Sequence, residues 1–202
     1  DFLGDKEVPI DAYYGVQTLR AIENFPITGY RIHPALIKCR TIVKKAAALA
    51  NEKVGELESK KAEAIAKAAD DVIAGKLNDW FLVDPIQGGA GTSINMNTNE
   101  VIANRALEIL GEKKGTYTVI SPNSHVNMAQ STNDAFPTAA HLTIAVLLDE
   151  LIVVMKDMQK MMLKKSQEFD GMIKMGRTHL QDAVPIRLGQ EFKAHAAVVG
   201  RD

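Results

Sequence analysis

The sequence predicts a mainly α fold: a helical N-terminal domain over residues 1–132, then the first helices of a long-helix bundle over 133–202. Two observations carry this expectation. Apolar residues recur at helical spacing along much of the chain, and no stretch sustains the alternation of a strand. The pattern between about Asp134 and Glu168 is apolar over most of its circumference from 142 to 155. A helix apolar on several sides has to be covered on several sides, which a multi-helix bundle or its neighbouring subunits can do.

The elements follow in order. Residues 1–30 carry little periodicity, and Pro9, Gly15, Pro26 and Gly29 mark turns. A first helix is expected from Pro34, a favourable first-turn residue, to a stop at Gly55. Its apolar face reads Leu36, Cys39, Val43, Ala47, Ala50 and Val54. A second helix runs from Lys60 to Ile73, with Ser59 as its cap and Gly75 past its end. Ala62, Ile65, Ala66, Ala69, Val72 and Ile73 form its apolar face. A third covers 98–110 and ends at Gly111, and 112–132 are polar and turn-rich. The long helix, with Pro137 in its first turn, would measure about 50 Å at roughly 1.5 Å per residue. After Gly171 and Gly176 a polar loop leads to a last helix, which begins near Arg187 and is still running at Asp202.

Composition narrows the function classes. With 202 residues, 46% hydrophobic and 24% charged, the chain has the balance of an ordinary soluble globular protein. The formal net charge of −1 gives no electrostatic case for nucleic acid or an anionic membrane. The most apolar stretch, LTIAVLLDELIVVM at 142–155, reads as shorter than a membrane span, and Asp149 and Glu150 interrupt it. A single cysteine, Cys39, excludes an internal disulfide and is expected as a small buried hydrophobe. A reducing compartment, the cytoplasm, fits that usage. No signal peptide is visible, although the chain opens at Asp1 without Met.

The chemistry is concentrated in three segments rich in neutral donors: GGAGTSINMN at 88–97, SPNSHVNMAQSTND at 121–134 and GRTHLQDAVP at 176–185. Glycine lets backbone approach a ligand, and Ser, Thr and Asn present hydroxyl and amide hydrogens. Thr92 and Ser93 follow three glycines and precede a helix. Ser131, Thr132 and Asn133 precede the long helix, and Thr178 and His179 fall in a loop between helices. Helix N-termini present unpaired N–H groups and partial positive charge, so loops of this kind could grip a small dicarboxylate at both ends. Each segment also has an ordinary reading. Ser-Thr-Asn before a helix serves as a cap, and His179, like Arg177, His141 and His195, serves as a polar contact. Gly-Gly-x-Gly lacks the Gly-Lys-Ser/Thr of a phosphate loop, and the five histidines show no zinc spacing. The residues call for neither a metal nor a cofactor.

Taken in order, DAYYGVQTLRAIENF at 11–25, DPIQGGAGTSINMNTNEVIANRALE at 84–108, SPNSHVNMAQSTNDAFPTAAH at 121–141 and KMGRTHLQDAVPIRLGQEF at 174–192 resemble the aspartase/fumarase superfamily. Tyr13-Tyr14, the run from Gly88 to Ser93, Thr132 and Ala183-Val184-Pro185 resemble the aspartase branch more than the fumarase branch. His179 does not separate the two. The resemblance implies reversible elimination of ammonia from L-aspartate to give fumarate, with hydration of fumarate to malate as the alternative. Carried-over substrate-binding positions are Thr92, Ser131, Thr132, Asn133, Thr178 and His179. Thr92, Ser131 and Thr132 would hold the carboxylate that takes up charge, Asn133 would orient the substrate, and Thr178 and His179 would act from another subunit. His179 is also the catalytic candidate, as a proton shuttle. Residues 121–127, with His125, resemble a secondary anion site of fumarases.

The resemblance also implies a homotetramer whose site is shared by three subunits. Family chains are more than twice as long, and their Gly-Ser-Ser-x-Met-Pro loop, bearing the general-base serine, does not occur here, nor does the carboxylate-binding lysine after it. The chain is therefore expected to be an N-terminal portion that self-associates through its long helix and is inactive alone. The rival from another class is a non-catalytic helical assembly module.

Overall fold

A computed structural model describes residues 3–202. The described chain is mainly helical, as expected, with six α-helices in the order α1 (Val16–Asn24), α2 (Pro34–Lys53), α3 (Ser59–Ile73), α4 (Thr92–Ile109), α5 (Thr132–Glu168) and α6 (Leu188–Arg201). Short helical turns occupy Asn78–Trp80 and Pro122–Val126, and strands β1 (Ile173–Thr178) and β2 (Gln181–Arg187) separate α5 from α6. The chain parts into two compact units, residues 1–144 and 145–202, with the division inside α5.

In the first unit α2 packs on α3, α3 on α4 and α4 on α1. Alanines 62, 64 and 68 with Ile65 and Val72 bring α3 close to its neighbours, and Val101, Ile102, Ala103, Ala106 and Leu107 face them from α4. The expected α3 face is buried except at its end, where Ile73 is half-buried. Cys39 is buried, as expected.

Four features depart from the sequence reading. First, α1 lies where little periodicity was read; Leu19, Ala21 and Ile22 pack it against the core, and its N-terminus is anchored as well. The Glu100 side chain accepts the N–H groups of Gly15 (2.9 Å), Gln17 (2.9 Å) and Thr18 (3.0 Å) and the Thr18 hydroxyl (2.6 Å). A carboxylate at a helix N-terminus satisfies orphan donors and meets the positive end of the dipole.

Second, α2 buries a different face from the one its apolar spacing suggested. Ile37, Cys39, Arg40, Thr41, Lys44, Ala48 and Asn51 are buried, whereas Ala50 and Val54 are exposed. A buried stripe carrying Arg, Lys and Asn is invisible to a hydrophobicity pattern. Third, α4 begins six residues before the expected 98, because Asn95, Asn97, Thr98, Asn99 and Asn104 are buried inside it rather than belonging to a loop. The Gln87 side chain caps its first turn by accepting the Ile94 N–H at 2.9 Å.

Fourth, residues 173–187 form an antiparallel hairpin and not a loop between helices. Thr178 pairs with Gln181 across a two-residue turn, His179-Leu180, with φ of 49° and 64°. Two left-handed residues make the mirror-image turn that matches strand twist. The turn lacks its usual Asn or Gly, which is why the sequence does not announce it.

In the second unit α5 exposes Leu147, Leu151, Ile152, Val153 and Val154, each at least 41% accessible. By length and composition α5 is long and apolar enough to cross a membrane, which corrects the expectation that its apolar stretch falls short of a span. The helix extends well beyond 142–155 at both ends.

Candidate functional site

Two of the three donor segments meet in the first unit. Gly91 takes φ +85° as the residue before α4, and a Cβ there would lie 2.4 Å from the Phe136 ring of α5. Glycine is required twice over, by the left-handed backbone and by the close approach. The N-termini of α4 and α5 thus lie side by side. A groove of about 480 Å³ runs between them, lined by Gly89, Ala90, Gly91, Ile94, Asn133 and Phe136 among others. The larger cleft of about 740 Å³, beside Tyr14, Asn104 and Lys114, includes no residue of the donor segments.

The Thr92, Ser131 and Asn133 side chains are exposed and that of Thr132 is half-buried. Ser131 acts as a cap: its Oγ accepts the Asn133 N–H at 3.2 Å, and its carbonyl accepts from Asp134 and Ala135. Thr132 Oγ1 accepts a hydrogen bond of 2.9 Å from Asn95 Nδ2. Thr178 and His179 belong to the second unit, where both are exposed at the hairpin tip. Arg177 forms a cross-strand pair with Asp182 at 3.3 Å, and His141 and His195 are exposed.

In the 121–127 segment His125 Nδ1 accepts the Ser121 N–H at 2.9 Å, which leaves Nε2 to carry the proton of the neutral ring. Burial, then the charge of Lys61, lowers the His125 pKa against the opposing influence of Glu58. Among the described residues no group of three or more His, Cys, Asp or Glu side chains is gathered to hold a metal ion.

Sequence reasoning missed the polar layer beneath Thr132. Asn95, Asn99 and Asn127 lie behind it, with Arg40 and Lys44 of α2 deeper still. The only available signal was the asparagine density of 95–99, which reads equally well as loop. The assembled arrangement is a pair of adjacent helix N-termini bearing neutral donors, backed by buried cations. In charge and donor chemistry it is suited to an anion.

A family model described as Lyase matches residues 4–202, and the chain belongs to that family. Over its whole length it is 70% identical to an aspartate ammonia-lyase of Bacillus sp, of which it covers 43%. The crystal structure of a fumarate lyase:delta crystallin from Brucella melitensis in native form matches with a TM-score of 0.86 and 51% identity, over 100% of this chain and 47% of that one. A recombinant class II fumarase from Schistosoma mansoni matches with a TM-score of 0.82 and 36% identity, over 100% of this chain and 43% of that one. The chain thus spans less than half the length of these relatives.

Proposed function

We propose that the native gene product is an aspartate ammonia-lyase that converts L-aspartate reversibly to fumarate and ammonia in the cytoplasm. The observation that carries this reading is the pairing of the α4 and α5 N-termini: Gly91 meets Phe136, Asn95 of α4 hydrogen-bonds Thr132 of α5, and Asn133 lines the groove between them, with Thr92, Ser131 and Thr132 at the same two helix starts. The 70% identity to an aspartate ammonia-lyase, against 36% to a class II fumarase, favours ammonia over water as the leaving group.

The difficult step removes a proton from the carbon next to a carboxylate, so that carboxylate takes up a second negative charge. Preorganised donors lower that barrier because they are already aimed where charge develops. Thr92, Ser131 and Thr132 donate to the growing dianion, and Asn133 orients the substrate. Thr178 and His179, on a tightly turned hairpin, reach the site of a neighbouring subunit in a homotetramer, where His179 assists proton transfer. The exposed apolar surface of α5 supports assembly of this kind.

The test is the ultraviolet absorbance of fumarate formed from L-aspartate by the purified native gene product. Fumarate and ammonia in equal amounts are expected. A product that hydrates fumarate to malate but ignores ammonia would move the protein to the fumarases, and no turnover with either would leave the assembly reading.

A further inference from the structure

Arg40 and Lys44, one turn apart on α2, have no solvent exposure. Neither pairs with a carboxylate among the described residues. Their hydrogen bonds go to amides: Arg40 Nη2 donates to Asn95 Oδ1, and Lys44 Nζ donates to Asn127 Oδ1 at 2.7 Å. Arg40 Nε and Nη1 are buried without a partner among the described residues, and the Phe136 ring centre lies 5.5 Å from the guanidinium carbon. Burial lowers the Arg40 pKa to about 10, and burial with the charge of Arg40 lowers that of Lys44 to about 7. Buried charge without an opposite partner costs several kcal/mol.

The two cations do fix a direction. Arginine and the lysine ammonium only donate, so with Lys44 charged the amide oxygens of Asn127 and Asn95 have to face them. Asn127 Oδ1 then accepts from Asn95 Nδ2 (3.2 Å) and Asn99 Nδ2 (3.3 Å) as well. Asn95 Nδ2 also donates to Thr132 Oγ1 at 2.9 Å. A hydroxyl that accepts from an amide keeps its own hydrogen for another partner, and no described residue accepts from Thr132 Oγ1. We propose that Lys44 and Arg40 are positioning residues: through Asn127 and Asn95 they hold the Thr132 hydroxyl as a donor to the anion bound at the start of α5. This rests on the reading that Thr132 grips a dicarboxylate.

The relay can be reversed by one isosteric change. Asn95→Asp puts an acceptor opposite Thr132, so the hydroxyl hydrogen turns inward. It also sets a carboxylate against Arg40, while the new oxygen faces Asn127 Oδ1 in place of the amide that donated to it at 3.2 Å. Lys44→Met removes the other fixed point. Each is made in the native gene product, alone and with Thr132→Val, and read by kcat for fumarate formation, succinate affinity by calorimetry, and melting temperature. Asn95→Asp is expected to lower kcat and succinate affinity by about tenfold or more, in a protein that still melts cooperatively. In the Thr132→Val background the same change should cost little, because the donor it controls is gone. Lys44→Met should follow the same pattern, and if it does not fold the Asn95→Asp cycle decides alone. An equal loss in both backgrounds would mean that the added charge simply repels the anion, and would overturn the relay. Unaltered kcat and affinity in Asn95→Asp would also overturn it. If the parent makes no fumarate, the proposed reaction fails, and the succinate cycle still judges the relay. A parent that does not bind succinate would overturn both.

Discussion

Glu100→Gln is the sharpest test of how the first unit holds together. Oε2 accepts from Gly15 N (2.9 Å), Thr18 N (3.0 Å) and Thr18 Oγ1 (2.6 Å), and Oε1 accepts from Gln17 N (2.9 Å). An amide keeps one oxygen. In its better orientation that oxygen keeps the three donors on Oε2, and the new NH2 faces the Gln17 N–H, donor against donor. Three bonds then fall from charge-assisted to neutral strength, a loss of roughly 1 kcal/mol each, and one donor is deprived of its acceptor at about 1–3 kcal/mol. Allowing for relaxation and the non-additivity of neighbouring bonds, the cost is about 4 kcal/mol. For a chain of this length each kcal/mol moves the melting temperature by about 2–4 °C, so a drop of about 10 °C is expected in thermal melts followed by circular dichroism. Thr18→Val, which removes one of the four donors, should cost about 1–2 kcal/mol. A Glu100→Gln protein melting within about 3 °C of the parent would show that α1 is held by packing, and would refute this account of the anchor.

In the native gene product, Thr132→Ala should slow fumarate formation by about 100-fold, near 3 kcal/mol by analogy with an oxyanion-hole donor, with the far-ultraviolet circular dichroism unchanged; parental rates would remove Thr132 from the chemistry. Gly91→Ala meets both the left-handed backbone and the Phe136 ring at 2.4 Å, and urea titration should show a loss of about 3 kcal/mol from strain and overpacking. Lys44 has its folded-state pKa lowered from 10.5 to about 7. Below about 7 the penalty of its buried charge is fully present, and it is relieved as pH rises from there toward the unfolded value. The stability gained by Lys44→Met should therefore be largest near pH 6 and smaller near pH 9, a difference of a few kcal/mol, and a gain that grows with pH would contradict the assignment. The 202-residue chain should self-associate at micromolar concentration through the α5 surface that holds Leu147, Leu151 and Val154, since each such side chain gains about 1.5–3 kcal/mol on burial; a clean monomer in analytical ultracentrifugation would count against it.

What the sequence announces here is whatever hydrophobic spacing encodes. The α3 helix, with alanines and Ile65 at regular intervals, and the long apolar α5 were legible for that reason. The α4 helix was shortened because its first turns bury asparagines, which ordinarily mark loops, and its helical state there comes from tertiary hydrogen bonds. The α2 face was misread because Arg40 and Lys44 point inward. The hairpin was missed because its strands lean on Pro185 and Gly176 and its turn on His179 and Leu180, none of which signals a strand. Of the candidate site residues, Thr92 and 131–133 were legible as helix starts, and their adjacency was not: it rests on Gly91 meeting Phe136, a contact between residues 45 positions apart in sequence.

The distribution of buried charge separates scaffold from chemistry in the first unit. The α4 helix carries both Glu100 and Asn95, and a carboxylate could have stood at either position. At 100 it faces four donors of α1 and joins distant parts of the chain. At 95, against Arg40 and beside the Asn127 that Lys44 holds, the residue is an amide. A carboxylate there would have neutralised Arg40, and would have set its second oxygen against Asn127 Oδ1, acceptor facing acceptor. It would also have turned the Thr132 hydrogen inward and faced any anion in the groove with negative charge. On the proposed relay, the amide at 95 leaves Arg40 unneutralised and keeps the Thr132 hydrogen directed at the groove. Asn95→Asp should therefore lower kcat in a protein that still melts cooperatively, and a folded variant with parental kcat would refute this division of labour.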